Sequence, residues 1–193
     1  MRFILASASP RRLSLLKQIY ITPDDVCPAD INEDPIPGEL PRLHAERLAN
    51  EKCQKIADAY QDCVVLAADT VVGVGRRILP KTETIKQAKT CLDLLSGRSH
   101  RVFTGIAIYS SQKGVSSRVV ETRVKMKRLS DEDKQAYLDS KEWFGKAGGY
   151  GIQGYADAFI LSLSGSYSNV VGLPLLETRN LLNAHGVKGV FKS

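Results

Sequence analysis

Near the start of the chain, Ser7-Ala8-Ser9-Pro10-Arg11-Arg12 follows the apolar run Phe3 to Ala6 and opens a helical pattern over 10–19. Ser9 is placed to cap that helix, and Pro10 fits its first position. Two arginines in a first turn run against the helix macrodipole, which disfavours cations there by a few tenths to ~1 kcal/mol each. An anion is therefore expected beside them. Free amides, serine hydroxyls and two guanidinium forks together make a phosphate site, the other reading being arginines paired with nearby acids. Ser130-Asp131-Glu132-Asp133 is an internal control, since this chain writes an ordinary acidic helix start there.

Three further places break local rules. Ala45, Leu48, Ala49, Cys53, Ile56, Ala57 and Tyr60 form an apolar stripe on a helix spanning 41–60, and Lys52 lies within it. Lys52 reads either as a lysine snorkelling from a helix edge or as an ammonium directed into a cleft. On the cleft reading, Lys52→Met keeps stability and loses activity. The apolar run Val64 to Val72 is broken by Asp69 and Thr70. An unpaired buried carboxylate is costly, so Asp69 must meet a metal, a cation or donors, or lie at the strand's open end, where ligands bind in such sheets. A structural salt bridge, a metal-ligand role and a general-base role all remain open for it. Finally, Lys146-Ala147-Gly148-Gly149-Tyr150-Gly151-Ile152-Gln153-Gly154 carries four glycines, a backbone able to approach a ligand closely. It matches neither G-x-x-x-x-G-K-[ST] nor G-x-G-x-x-G, which disfavours a P-loop or dinucleotide fold.

The constellation suits phosphate chemistry rather than acyl transfer. Only His44, His100 and His185 are available, and His100, at a helix exit, fits a backbone hydrogen bond at least as well as catalysis. Cys27, Cys53, Cys63 and Cys91 are widely spaced, with no C-x-x-C pair, so neither a zinc site nor a disulfide framework is expected. No apolar run approaches the ~18 residues of a membrane helix, and the apolar start is too short for a signal peptide. A reducing cytosol follows by default. The net charge of +6 favours anionic ligands.

At 193 residues, 43% hydrophobic and 25% charged, the chain fits a globular α/β unit, taken as one domain over 1–193. Strand-like runs at 2–6, 63–68, 101–109, 115–127 and 158–163 alternate with helical patterns at 10–19, 41–60, 84–95, 130–140 and 174–185. Segments 34–41, 145–154 and 164–174 read as loops. Val120, Thr122, Val124 and Met126 alternate with Glu121, Arg123, Lys125 and Lys127, the pattern of a half-exposed strand, so the sheet is mixed rather than all parallel. A hairpin through Ser110 to Gly114 joins it to 101–109.

Five blocks in order, Ser7 to Arg12, Ala68-Asp69-Thr70-Val71-Val72, Leu95-Ser96-Gly97 to His100 with Thr104-Gly105, Lys146 to Gly154, and Gly165 to Pro174, resemble those of the Maf family along nearly the whole length. The resemblance implies a cytosolic, homodimeric nucleoside triphosphate pyrophosphatase. The implied fold is an elongated mixed sheet flanked by helices, with a deep central cleft related to that of the inosine triphosphate pyrophosphatases. It implies Asp69 as proton acceptor and metal-site carboxylate, Glu33 as a further metal-site carboxylate, and Ser7, Arg12, Lys52 and Lys81 as phosphate-binding groups. Arg11, Thr70 and Gln153 resemble the branch that prefers dTTP and UTP; a broader nucleotide range or 7-methyl-GTP is the alternative. Two departures from the family pattern stand out. Its Gly-Lys-Pro reads Leu79-Pro80-Lys81 here, and its Asp-Glu pair reads Asn32-Glu33, which removes a carboxylate beside Glu33.

On this reading Mg2+ or Mn2+ is the cofactor, a nucleoside triphosphate the substrate, and no membrane is involved. A regulatory nucleic-acid-binding protein is the rival from another class. Its support, the basic run Arg123 to Arg128, is interrupted and lacks interleaved aromatics. An inactive nucleotide sensor is the third reading.

Overall fold

The computed structural model describes residues 1–190, so the last three residues of the expected 1–193 unit lie outside the described residues. In chain order the elements are β1 (Arg2–Leu5), α1 (Pro10–Gln18), β2 (Asp25–Val26), α2 (Pro41–Ala59), β3 (Cys63–Val74), β4 (Arg77–Leu79), α3 (Ile85–Leu95), β5 (Ser99–Ser110), β6 (Gly114–Met126), α4 (Asp131–Asp139), a 3-10 turn (Tyr155–Phe159), β7 (Ile160–Ser164), α5 (Tyr167–Val171) and α6 (Leu175–Ala184). The strands form one mixed sheet in the order β2-β1-β3-β5-β6-β7, with β4 folded back on the far end of β3. β1 runs parallel to β2 and β3, and every other pairing is antiparallel. The half-exposed strand and its hairpin partner appear as expected, with Ser110 facing Gly114 across the turn.

Side chains alternate across β3 as the pleat requires. Val65 and Ala67 pack with Ala49, Cys53 and Ile56 of α2 on one face. Val64, Leu66 and Ala68 join the larger core on the other, with Leu15, Leu92, Ile106 and Leu182. α2 lies close on the sheet because β5 carries Gly105 beneath it: a Cβ there would stand 2.2 Å from the carbonyl oxygen of Ala45.

Two sequence expectations change. β3 continues to Val74, because β5 pairs with it from Val64 to Gly73, and ladder hydrogen bonds override the polar interruption at Asp69 and Thr70. Asp69 is therefore inside a strand, opposite Gly105, not at that strand's end. The opening comes from β1 instead, whose pairing with β3 ends at Leu5 opposite Leu66. Segment 164–174, expected as loop, contains the short helix α5.

Candidate active site

Where β1 stops, the chain turns into α1 and leaves a cleft of about 1040 Å³ beside the continuing β3. Ser7, Arg11, Arg12, Glu33, Lys52, Asp69, Thr70, Lys81 and Gln153, the nine residues singled out from the sequence, all line it. Because Asp69 and Thr70 are neighbours on a strand, they face opposite sides of the sheet, and two clusters form around them.

On the α2 side, the Lys52 ammonium lies 2.6 Å from Asp69 Oδ1 and 2.6 Å from Glu33 Oε1. Lys52 and Asp69 are buried, whereas Glu33 is about half exposed. The stripe lysine thus points inward, and its immediate partners are carboxylates. Burial alone would raise the Glu33 carboxyl; Lys52, Lys81 and Arg12 outweigh it and hold Glu33 below the usual carboxylate range. Among the described residues no group of three or more His, Cys, Asp or Glu converges as a metal cage.

On the α1 side, Arg12 donates to three acceptors: Nε to the carbonyl of Gly172 (2.8 Å), Nη1 to Ser7 Oγ (2.9 Å) and Nη2 to Thr70 Oγ1 (3.3 Å). Thr104 Oγ1 donates to the Asn169 carbonyl (3.0 Å), so in its 3.0 Å contact with Thr70 the proton must come from Thr70. Ser7 Oγ also accepts from the Ser9 amide. With both lone pairs engaged, its hydroxyl hydrogen is the group left to donate into the cleft. Ser9 occupies the N-cap position of α1 but its side chain caps nothing, contrary to expectation; Pro10 has no N–H and the Arg12 amide already donates to the Ser9 carbonyl at 3.2 Å, which leaves the Arg11 amide for another acceptor. Burial lowers the Arg12 pKa, with Arg11 adding to the lowering while Asp69 and Glu33 oppose it. The anion-favouring start of α1 thus has its cations set into the cleft. The control holds: Ser130 and Asp133 form a capping box on α4.

Another wall of the cleft is the glycine-rich loop. It is laced to the Leu79-Pro80-Lys81 segment by hydrogen bonds from Gly148 N to Pro80 O, Thr82 N to Lys146 O and Gly145 N to Thr82 O. Lys81, which also bridges to Ala147 as an antiparallel pair, lines the cleft with the proline before it rather than after it. One of the loop's glycines is required by its surroundings: at Gly148, whose φ is +66°, a Cβ would lie 2.9 Å from the Val72 side chain. His100 is not in the cleft lining. It is buried, its Nε2 lies 2.6 Å from Tyr150 Oη, and burial lowers its pKa to about 4. The expected backbone bond is thus replaced by a tyrosine contact.

Sequence reasoning missed several participants. Lys146 and Glu142 also line the cleft. Thr104 and Asn169 anchor the C-terminal motif to the sheet, Asn169 Nδ2 donating to Val102 O and Thr122 Oγ1. Arg47 and Glu39 tie the loop that bears Glu33 to α2. Thr104 and Asn169 stand in motifs that were noticed, but nothing in spacing alone tells which motif residue touches which.

Residues 2–185 match the family described as Maf-like protein. The chain belongs to that family. Proteins with the name dTTP/UTP pyrophosphatase are 56% identical in Caulobacter vibrioides, covering 96% of each chain, and 60% identical in Maricaulis maris, covering 96% of this chain and 88% of that one. The one from Bradyrhizobium diazoefficiens is 53% identical over 96% of this chain and 91% of its own. Among solved structures, the Staphylococcus aureus Ham1 protein aligns at 16% identity with a TM-score of 0.48, over 65% of this chain and 72% of that one. Membership in the Maf family fits the order of the five motif blocks, each of which reaches the cleft or braces its walls. No helix among the described residues is long and apolar enough to cross a membrane. All four cysteines are free.

Proposed function

We propose that the cleft hydrolyses a pyrimidine nucleoside triphosphate, dTTP or UTP, to the monophosphate and pyrophosphate. The observation that carries this reading is the pairing of two carboxylates, Asp69 and Glu33, through Lys52 in the same cleft as the basic start of α1. Relatives more than half identical over nearly the whole chain bear the name dTTP/UTP pyrophosphatase, which supports both the reaction and the base preference.

In this scheme water attacks the α phosphorus, the bond from that phosphorus to the α–β bridging oxygen breaks, and pyrophosphate leaves with the bridging oxygen. Asp69 accepts the proton of the attacking water. Lys52 orients the Asp69 carboxylate. Arg11, Arg12 and Lys81 balance the charge of the phosphates, and the Ser7 hydroxyl and the Arg11 amide donate to phosphate oxygens. Gln153 offers a donor and an acceptor to the base edge, and Arg11 and Thr70 orient the base or the nearby phosphate.

The donor set suits a hard divalent cation. Mg2+ is commonly held by one or two carboxylates, its other positions filled by substrate phosphate oxygens and water, and Asp69 and Glu33 are such a pair. When bound, Mg2+ or Mn2+ supplies electrostatic stabilisation of the α phosphate. Asn32 in place of a second acidic residue leaves Glu33 as the single acidic side chain of that pair of positions.

The Maf resemblance also implies a single domain acting as a cytosolic homodimer, which sedimentation of the purified protein checks. The basic run that favours a nucleic-acid binder is the outward face of β6, where exposed Arg123 and Lys125 alternate with buried Thr122, Val124 and Met126. Lys127 beyond it pairs with Asp133 at 2.9 Å.

Product analysis tests the reaction. Pyrophosphate and monophosphate are expected in equal amounts, and in heavy-oxygen water the label enters the monophosphate. Orthophosphate with a diphosphate, or label in pyrophosphate, contradicts attack at the α phosphorus. Chelator stops turnover and Mg2+ or Mn2+ restores it; full activity in excess chelator removes the metal from the scheme.

A further inference from the structure

Glu33 stands on the irregular connection from β2 to α2, which has no strand ladder of its own. The connection is tied to α2 at separate points. Lys55 Nζ donates to the Asp30 carbonyl at 2.6 Å, Lys52 holds the Glu33 carboxylate, and Arg47 Nη2 donates to the Asp34 carbonyl at 3.0 Å. Arg47 is the hub among these. Its Nε and Nη2 grip Glu39 Oε1 and Oε2 at 2.7 and 2.9 Å, and Nη1 reaches Glu51 at 3.3 Å. Glu39 in turn accepts from the Ile36 amide at 3.0 Å and meets His44 Nδ1 at 2.8 Å. The Glu39 side chain is only 8% exposed. The hydrogen bonds from Arg47 hold its carboxyl down to about 2, against the opposing effect of burial.

An isolated exposed salt bridge contributes little. This one differs: a two-pronged arginine–carboxylate fork, largely out of solvent, spends a further donor on the backbone one residue from Glu33. A half-exposed glutamate on a loop has many places to be, and what limits them is the backbone that carries it. We propose that Arg47, gripped by Glu39, is a positioning residue that fixes the Glu33 loop on α2 so that the Glu33 carboxylate faces Asp69 across Lys52. The inference rests on the pyrophosphatase reading of the cleft and on Glu33 having a part in it.

A double-mutant cycle tests it. Arg47→Met and Glu39→Gln are each made in the natural chain and in Glu33→Gln, and pyrophosphate release is measured per folded molecule, well below each variant's Tm. In the natural background each substitution lowers kcat/KM by about tenfold, short of the ~10²-fold that a misplacement of about 1 Å can cost because Lys52 still holds Glu33. With Glu33→Gln already present, the same substitutions change it by less than about twofold, because the group they position is gone. Independently of turnover, hydrogen exchange quickens in the loop around residues 30–39 and is unchanged in the sheet core.

A full tenfold loss in the Glu33→Gln background, or exchange that quickens throughout the fold, overturns the positioning role. So does a Glu33→Gln enzyme as active as the natural one, an outcome that leaves the pyrophosphatase reading intact. That reading fails only if the natural chain releases no pyrophosphate, and the exchange measurement then still decides whether the clamp holds the loop.

Discussion

One ammonium, that of Lys52, holds two carboxylates from different elements, and this geometry changes what its removal should do. The stripe alone led to the expectation that Lys52→Met keeps stability. With Asp69 buried beside it, the variant leaves a carboxylate without its cation, so stability falls as well as turnover. The cost is set between about 1 and 3 kcal/mol, below the about 3–5 of a fully buried pair, because Glu33 reaches solvent and the cleft is open. Thermal unfolding of the variant checks this, and an unchanged Tm would show that the ion pairs contribute nothing to the fold. Asp69→Asn keeps a similar shape but cannot accept the proton, so turnover falls by a factor on the order of 10² to 10⁴ with the fold intact. Asp69 and Lys52 were legible as anomalies, a charge in an apolar run and a charge in an apolar stripe. Their contact was not, because the residues lie 17 apart on a strand and a helix whose crossing no local pattern specifies.

Between elements, the approach of α2 to β5 is what sets Lys52 over Asp69. Gly105 is the register partner of Asp69, and a Cβ there meets backbone atoms of Ala45 at 2.2 and 2.7 Å, which no side-chain rotation relieves. Gly105→Ala therefore lifts α2, lowers stability by about 1–3 kcal/mol or more through overpacking, and reduces turnover per folded molecule. A variant with the Tm and kcat of the natural chain contradicts this account of the helix position. The buried His100–Tyr150 contact gives a pH signature. With the folded pKa lowered from 6.5 to about 4, the unfolded chain takes up the proton first as pH falls. The stability from the neutral ring is present above about pH 6.5 and is lost progressively toward pH 4. His100→Gln removes that component, so the Tm difference between the two proteins should change across this window and level off on either side; a constant difference would show that the ring titrates normally. The long elements were readable because their periodicities are sustained. β2, β4 and α5, at two, three and five residues, are too short to carry a period, and the true end of β3 is set by its partner strand rather than by its own composition.

Across the whole molecule, residues from 7 to 172 meet in one cleft, brought together by the early end of β1, the close approach of α2, and the pinning of the 165–172 segment to the sheet by Thr104, Thr122 and Asn169. Arg11, Arg12, Lys52, Asp69 and the glycine-rich loop were legible because local rules were broken there, whereas Glu33 and Lys81 break none and were expected only from the family resemblance. The bracing was not legible, because Arg47, Glu39, Thr104 and Asn169 obey the rules of ordinary surface and strand positions and acquire meaning only through partners distant in sequence. On the proposed function the base preference belongs to this scale too, since Gln153 lines the cleft from a loop far in sequence from the start of α1. A polar site left unmatched by the wrong base loses on the order of 1–3 kcal/mol per unsatisfied group, so Gln153→Ala should narrow the gap between pyrimidines and purines rather than lower all substrates equally. Equal losses would assign Gln153 no part in selection. The most direct test of the central claim is kcat/KM for pyrophosphate release across dTTP, UTP, CTP, GTP, ATP and 7-methyl-GTP, measured for the natural chain and for Asp69→Asn. The account predicts dTTP and UTP foremost and near-complete loss on every substrate in Asp69→Asn; a purine preference contradicts the base assignment, and undiminished turnover in Asp69→Asn contradicts the mechanism.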